Sequence, residues 1–155
     1  MQKPAVPLLR IFSGGQTGVD RAALDVAIEL GLEHGGWCPQ GRRAEDGSIH
    51  PRYRLRETAD KEYAGRTRLN VQDTDGTLIL YMGELEGGTE FTAELAGQLR
   101  KPLLMVDLDH PVDAGTLKNW LGQHHIGTLN IAGPRESKQP GIYAQAVFIL
   151  RRLLS

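Results

Sequence analysis

The chain has 155 residues, of which 40% are hydrophobic and 24% are charged, as is typical of one globular domain spanning residues 1–155. With 18 Lys and Arg against 19 Asp and Glu, the net charge of -1 excludes a general attraction to nucleic acid or anionic membranes. A single cysteine, Cys38, excludes an internal disulfide framework. Because no apolar stretch approaches the roughly 20 residues of a membrane helix and no signal-peptide core is evident, we expect a cytoplasmic location.

The first predicted elements are a short strand, a glycine turn and a helix. Residues 8–12 form an apolar run that ends at Ser13, and from Thr17 onward Leu24 and Ile28 recur at helical spacing. Glycines without a Cβ let a turn run close to a ligand, and a helix start offers unpaired N–H groups and a positive dipole end. We therefore expect an anion site here, although no lysine follows the glycines as it does in a Walker loop. The simpler alternative is that the glycines only turn the chain.

More polar side chains surround this turn than a single helix cap requires. These residues are Ser13, Gln16, Thr17, Asp20 and Arg21. We predict that an anionic group is cradled by Gly14, Gly15, Gln16 and Thr17. Asp20 would then orient Arg21 or accept a hydrogen bond from a hydroxyl or amino group of the ligand.

The middle of the chain alternates short elements with one long loop. A second strand is expected at residues 34–37, followed by a loop at 38–51 that is rich in Gly, Pro and charge. Helices are expected at residues 54–64 and at 67–73. The apolar run TLILY at 77–81 predicts a strand that is covered on both faces.

The second half repeats strand and helix in alternation. A helix follows Gly87, Gly88 and Thr89, and the later elements are a strand at 103–106, a helix at 113–123, a strand at 128–132 and a helix at 142–154. Strands that alternate with helices predict parallel pairing and right-handed crossovers. The sequence therefore predicts an α/β fold, a single doubly wound, Rossmann-like parallel sheet with helices on both faces.

The loops after the strands are expected to meet at one edge of this sheet. Ligands of such sheets bind beyond the carboxyl ends of the strands. The two glycine-led helix starts, near Thr17 and Thr89, would point their N-termini into one crevice. Because two such dipoles favour a polyanionic ligand, we predict that Gly87, Gly88 and Thr89 approach a second anionic group.

Several motifs together resemble one known family. They are SGGQTGVDRAALD, GGWCPQGRRAEDG, RTRLNVQDTDGTLIL, GGTEFT and LNIAGPRES, and they run in this order from Ile11 to Tyr143. The combination resembles the molybdenum carrier family, a branch of the Rossmann-like superfamily that includes the lysine-decarboxylase-like phosphoribohydrolases called LOG. The resemblance implies a small phosphorylated ligand, either the molybdenum cofactor (molybdopterin) or a nucleotide phosphate, held at the rim of the sheet. Fold analogy adds the expectation of a homo-oligomer.

Arginines near the predicted rim supply the positive charge that a phosphate needs. Arg42, Arg43, Arg66 and Arg135 can donate charge-assisted or bidentate hydrogen bonds. The alternative for each is a solvated surface position, which is the simpler interpretation for the other basic residues between positions 52 and 61.

The aromatic and soft side chains are ambiguous. Trp37 and Tyr53 could stack on a planar pterin or base, or they could pack in the core. Cys38 has no second soft ligand nearby, and the adjacent His124 and His125 point in different directions. We therefore predict no metal site.

The sequence departs from the catalytic motif of the LOG relatives. Their PGGxGTxxE stretch supplies a carboxylate, whereas the corresponding run here is EGGTEFTAE, with Thr92 in place of that glutamate. Glu90 and Glu94 flank the position but point in other helical directions. We therefore expect a carrier or binding protein with no catalytic residue. The alternatives are a nucleotide-processing hydrolase of the LOG type that uses Glu90 or Glu94, a nucleotide sensor, and a scaffold with a vestigial crevice.

The complete set of predicted ligand-binding residues follows from these motifs. It comprises Ser13, Gly14, Gly15, Gln16, Thr17, Asp20, Arg21, Trp37, Arg42, Arg43, Arg66, Gly87, Gly88, Thr89, Thr92, Arg135 and Glu136.

Overall fold

A parallel sheet of five strands forms the centre of the computed structural model, which describes residues 9–85 and 87–155. The strands are β1 (Arg10–Phe12), β2 (Glu33–Gly35), β3 (Trp37–Cys38), β4 (Arg43–Ala44), β5 (Gly47–Ser48), β6 (Arg56–Glu57), β7 (Gly76–Tyr81), β8 (Leu103–Asp107) and β9 (Thr128–Ala132). The helices are α1 (Val19–Glu29), α2 (Tyr63–Gln72), α3 (Gly87–Gln98), α4 (Ala114–Gln123) and α5 (Ile142–Leu154). The central sheet has the strand order β2-β1-β9-β7-β8, and every pairing in it is parallel.

Helices cover both faces of this sheet, which confirms the predicted doubly wound α/β fold. On one face α1, α4 and α5 bury their apolar stripes against strand residues such as Leu78 and Ile131. On the other face Val71 of α2 and Leu95 of α3 form a separate cluster with Leu103. Side chains alternate between the faces along each strand, so one sheet serves both clusters. None of the helices described reaches the length and apolarity that a membrane crossing needs.

The strand order is that of a Rossmann fold whose starting point has moved. If β9 is counted as the first strand, followed by β1, β2, β7 and β8, the spatial order becomes 3-2-1-4-5. The strand that opens a Rossmann fold therefore lies near the end of this chain. In an unpermuted Rossmann fold the next strand along the chain pairs with this first strand. Here that partner is β1, which lies beside β9 in the sheet but at the other end of the chain, so the topology is a circular permutation.

The segment between β2 and α2 differs from the prediction. The predicted helix at 54–64 is wrong over most of its range, because residues 56–57 form β6, which pairs with β3, and α2 begins only at Tyr63. The N–H of Arg56 donates to the carbonyl of Gly36 at 2.8 Å, and the N–H of Thr58 donates to the carbonyl of Cys38 at 2.8 Å. These long-range hydrogen bonds outweigh the helical spacing of the apolar residues.

Two neighbouring predictions are corrected for related reasons. The strand expected at 34–37 is split, because Gly36 has a φ of 128° and turns Trp37 into the separate pairing of β3 with β6. The helix expected at 67–73 begins four residues earlier, and the hydroxyl of Thr67 donates to the carbonyl of Tyr63 within the helix. The long loop at 38–51 contains the hairpin of β4 and β5.

A carboxylate on α1 fastens the C-terminal helix to the rest of the chain. Asp25 accepts hydrogen bonds from the hydroxyl of Tyr53 at 2.6 Å and from the hydroxyl of Tyr143, on α5, at 2.5 Å. Burial, together with the neighbouring carboxylate, raises the pKa of each tyrosine to about 12. The permuted helix α5 is thus held by a polar contact as well as by its apolar stripe.

Replacing Tyr143 with Phe removes one of these donors and keeps the ring. We expect the free energy of unfolding at neutral pH to fall by about 1.5–3 kcal/mol, as for a hydrogen bond to a charged group. The tyrosine pKa is higher in the folded chain than its ordinary value of 10.0, so this contribution is complete below pH 10 and is lost as the pH rises towards 12. Urea unfolding between pH 9 and about 12 should therefore show a smaller alkaline loss of stability in the variant than in the parent. Equal losses in the two proteins would contradict this account.

Candidate functional site

A cleft of about 500 Å³ opens at the carboxyl edge of the sheet, on the face covered by α2 and α3. Its walls come from the turn after β1, the start of α1, one side of α2, the first turns of α3, and β9 with its following loop. The volume is within the range of small-molecule sites. The position agrees with the rule that open α/β sheets bind ligands beyond their carboxyl ends.

An ion pair joins α2 to α1 in the wall of this cleft. Nη1 of Arg66 donates to Oδ2 of Asp20 at 2.7 Å, and the two side chains are only 14% and 5% exposed. Burial raises the pKa of the Asp20 carboxyl, while the charge and hydrogen bond of Arg66 act in the opposite direction. Nε of Arg66 is buried and has no hydrogen-bond partner among the described residues. An unpaired buried donor costs stability, so Arg66 has a hydrogen-bonding capacity that the described residues do not use.

The turn after β1 is shaped to admit this guanidinium. A Cβ on Gly14 would lie 1.6 Å from Nη1 and 2.6 Å from Cζ of Arg66, so the arginine lies on the open face of the glycine. Gly15 has a φ of 79°, which only glycine adopts without strain, and it packs against Leu55 and Ile49. The first glycine therefore makes room for a cation and the second turns the chain.

Other hydrogen-bond donors line the same cleft. Oε1 of Gln16 accepts from the N–H groups of Thr17 at 3.1 Å and Glu45 at 2.8 Å, which leaves the amide NH₂ as the free end of this side chain. The hydroxyl of the buried Thr89 and the ammonium of Lys138 make no hydrogen bond to any side chain or backbone group in the described ranges. A cleft rich in donors and cations suits an anionic ligand.

Carboxylates are scarce in the cleft. Asp20 is the acidic side chain among the described residues that line it. Glu90 and Glu94 are exposed on α3 and lie outside the lining. Thr92, which replaces the glutamate of the LOG motif, lines the cleft and donates to the carbonyl of Gly88 at 2.8 Å.

The described residues offer no metal centre. No group of three or more His, Cys, Asp or Glu side chains could hold a metal ion within residues 9–85 and 87–155. Cys38 is fully buried beside Leu24, Ile49 and Tyr53, and burial raises the pKa of its thiol. This cysteine packs a small core and does not reach the cleft.

The structure brings together part of the predicted set. The predicted residues that line the cleft are Gly14, Gln16, Asp20, Arg66, Gly87, Gly88, Thr89, Thr92 and Arg135. The predicted residues that lie outside its lining are Ser13, Gly15, Thr17, Arg21, Trp37, Arg42, Arg43 and Glu136.

Residues in the second group that follow β1 have partners within the protein. The hydroxyl of Ser13 accepts from the N–H of Gly15 at 3.2 Å and donates to the carbonyl of Asp20 at 2.8 Å, which fixes the turn. Arg21 donates to the carbonyl of Gly15 and forms a bidentate pair with Asp46 at 3.0 and 3.2 Å. These side chains hold the turn after β1 in place through its backbone, outside the cleft lining.

The remaining members of that group are engaged elsewhere. Arg42 donates to the backbone carbonyls of four residues, namely Ile49, His50, Tyr53 and Leu55. The indole N–H of Trp37 donates to Asp73 at 2.9 Å, and Arg43 is exposed on β4. Glu136 accepts from the N–H groups of Gly141 and Tyr143 at the start of α5. None of these side chains is part of the cleft lining.

Several residues of the lining are absent from the predicted set. They are Tyr63, Ala64, Thr67, Asn70, Phe91, Asn130, Ala132, Gly133, Pro134 and Lys138. Tyr63 lies at the start of α2, not near the end of a helix at 54–64, and Phe91 lies in the first half of α3. Tyr63 and Phe91 could have been found from their positions near the starts of two helices that neighbour β7 in sequence. Helices of this kind start at the carboxyl edge of the sheet, where ligands bind.

Replacing Gly14 with Ala tests the fit of the arginine against the turn. The added Cβ must displace the Arg66 guanidinium from Asp20, so we expect the free energy of unfolding to fall by about 1–3 kcal/mol. Gly97→Ala, at an exposed position of α3 where a Cβ meets nothing within 4 Å, is the control and should raise stability by about 0.5–1 kcal/mol. Urea unfolding of both variants measures these free energies. If Gly14→Ala leaves the free energy of unfolding unchanged, the steric argument is refuted.

Comparison with known proteins agrees with the permuted topology. The model of the "Circularly permutated YpsA SLOG family" matches residues 11–154. The crystal structure of a "Putative molybdenum carrier protein" from Syntrophus aciditrophicus SB, at 1.45 Å resolution, is 45% identical and has a TM-score of 0.90. This similarity covers 96% of the present chain and 97% of the other. No match is found among the curated proteins. The chain belongs to the circularly permuted YpsA family of SLOG proteins.

Proposed function

We propose that the chain binds a phosphorylated pterin or nucleotide in the cleft and carries it without breaking a bond in it. The observation that supports this most directly is Arg66, a buried cation in the cleft wall with a buried N–H that no described residue satisfies. A guanidinium of this kind is suited to phosphate, because its planar donors match the oxygens of the anion. The amide of Gln16 and the ammonium of Lys138 add donors nearby.

The cleft also offers a surface for a planar ring. Tyr63 on α2 and Phe91 on α3 line it from the two helices that pack together on this face. The Arg66 Cζ lies 5.5 Å from the centre of the Tyr63 ring, so the aromatic wall adjoins the cationic one. Aromatic faces stack on bases with little demand for hydrogen bonds. These two side chains, rather than Trp37 and Tyr53, are the proposed stacking partners.

The molybdenum cofactor fits this arrangement as a cargo. It combines a pterin ring with a phosphate, which correspond to the aromatic and cationic walls of the cleft. The described residues supply no cluster of His, Cys or acidic ligands, so the protein would hold the organic part and leave the metal without protein ligands. The relative from Syntrophus aciditrophicus SB carries the name of a molybdenum carrier, which supports the same proposal.

Hydrolysis of a nucleotide, the main alternative, has weaker support. Glu90 and Glu94, which would replace the LOG glutamate, are exposed and lie outside the cleft lining. Asp20 is inside the cleft but is already paired with Arg66. We therefore favour binding over bond cleavage. Cytoplasmic location and homo-oligomer formation stay predictions from the sequence.

Native mass spectrometry of gently purified protein, with elemental analysis for molybdenum and phosphorus on the same sample, identifies a bound molecule before one is assumed. A pterin-sized mass with molybdenum would support carriage of the cofactor. A nucleotide mass without molybdenum would favour a sensor or a nucleotide carrier. Release of free base from added GMP would contradict binding without cleavage.

Arg66→Ala should weaken the binding of GMP by at least about tenfold, as expected for loss of a hydrogen bond between charged groups. GMP is a suitable probe because guanine and pterin share a 2-amino-4-oxopyrimidine ring. Arg68→Ala, two residues along α2 at an exposed position, is the matched control and should bind as the parent does. Isothermal titration calorimetry measures both, with circular dichroism to confirm that each variant is folded.

If Arg66→Ala is too unstable because Asp20 loses its partner, Arg66→Lys keeps the charge and removes the planar fork. This variant should also bind GMP more weakly than the parent. Equal affinity in the parent and in every folded Arg66 variant would refute the proposed phosphate contact.

A further inference from the structure

The hairpin of β4 and β5 ends in a two-residue turn, Glu45 and Asp46, that touches the rim of the sheet. The two acidic residues are attached to different partners. Asp46 pairs with Arg21 of α1, behind the turn that follows β1. Glu45 reaches the loops that follow β1 and β9, beside the cleft. The hairpin tip is therefore anchored at two independent points.

The Glu45 carboxylate lies in a ring of hydrogen-bond donors. Its Oε1 accepts from the hydroxyl of Thr17 and from the N–H of Ser137 at 3.0 Å. Its Oε2 accepts from the hydroxyl of Ser137 at 2.5 Å and lies 3.7 Å from Nε of Arg135. Burial acts to raise the pKa of this carboxyl, but the hydrogen bonds from Ser137 and Thr17 hold it below its ordinary value. The group is thus an anion bound by the protein itself.

These donors form the kind of set that binds phosphate. They comprise two hydroxyls, one backbone N–H and one guanidinium, and they come from the loops after two adjacent strands, β1 and β9. Arg135 also lines the cleft, as does Gln16, whose side chain accepts from the backbone N–H of Glu45. The carboxylate therefore lies beside the cleft, in contact with two residues of its lining.

We propose that Thr17, Ser137 and Arg135 form a second anion subsite, which Glu45 occupies until a ligand with a second phosphate displaces it. This inference rests on the proposed function, because it assumes that the first phosphate lies in the cleft beside Arg66. The subsite favours a diphosphate of a nucleoside or pterin, because the second phosphate accepts hydrogen bonds from these donors. A monophosphate does not reach them and leaves Glu45 in place.

The anchoring of the hairpin allows this exchange. The Glu45 side chain is 20% exposed and the Arg135 side chain 35%, so solvent and ligands reach the subsite. When Glu45 leaves, the pair between Asp46 and Arg21 keeps the hairpin attached to α1. Displacement then requires a change in the side chain and the tip of the turn, while the central sheet stays as it is.

The test compares GDP with GMP as ligands of the parent, Glu45→Ala and Asp46→Ala. Removing the competing carboxylate should raise the affinity for GDP about tenfold and leave the affinity for GMP within about twofold. Asp46→Ala loosens the same hairpin but leaves the Glu45 carboxylate in the chain, so its ratio of GDP to GMP affinity should stay closer to that of the parent than the ratio of Glu45→Ala does. Isothermal titration calorimetry on the full chain provides all three ratios.

An unchanged ratio in Glu45→Ala, or an equal gain for GMP and GDP, would overturn the proposal and leave Glu45 as a structural anchor. If Glu45→Ala does not fold, Glu45→Gln keeps the size of the side chain, removes its charge and should still raise the ratio. If neither nucleotide binds the parent, the nucleotide part of the proposed function fails. Pyrophosphate and inorganic phosphate, titrated by NMR against the amide signals of Ser137 and Glu136, then test the subsite alone. A gain for pyrophosphate in Glu45→Ala supports the subsite, and no gain refutes it.

Discussion

The ion pair between Arg66 and Asp20 is the contact on which the shape of the cleft depends. It connects α2, on one face of the sheet, to the first turn of α1, which starts at the carboxyl edge. The guanidinium fits only because Gly14 has no Cβ, so the glycine turn, the helix start and the arginine form one unit. A pair this deeply buried gives up much hydration, and such a pair is weak evidence of selection for stability alone. Its position in the wall of the cleft is consistent with the proposed role in binding.

Internal anions or carbonyls engage the cations around the rim. Arg21 is paired with Asp46, Arg135 lies near Glu45, and Arg42 is surrounded by backbone carbonyls. The phosphate of the proposed ligand would therefore compete with groups of the protein for some of its contacts. The internal partners offset the cost of placing several arginines close together. The affinity for a ligand would then depend on which internal contact the ligand replaces. The hairpin of β4 and β5, which supplies two of those carboxylates, is on this view a part of the binding surface.

Much of the fold could be predicted from the sequence, because long apolar patterns identify their elements. The strand at 128–132 and the helix at 142–154 form where their patterns place them, and the glycine turn after β1 lies at the expected edge. The cleft lies at the edge of the sheet where the site was predicted, and its described lining includes residues predicted from motifs beside glycines, among them Gly14, Asp20 and Gly88. The segment from 38 to 62 was predicted poorly. Its short strands pair with partners distant in sequence, and the Arg42 guanidinium orders its carbonyls, neither of which leaves a local pattern.

The sequence by itself determined the α/β class, the alternation of strands and helices, and the edge at which the glycine turns lie, since these follow from periodicity and from conformations that only glycine adopts without strain. Only the tertiary structure decided the strand order, with β9 between β1 and β7, and so the circular permutation. It also decided which arginine enters the cleft and which supports a loop. Arg42 and Arg66 are chemically the same, and their roles differ because long-range packing places one among carbonyls and the other beside a buried carboxylate.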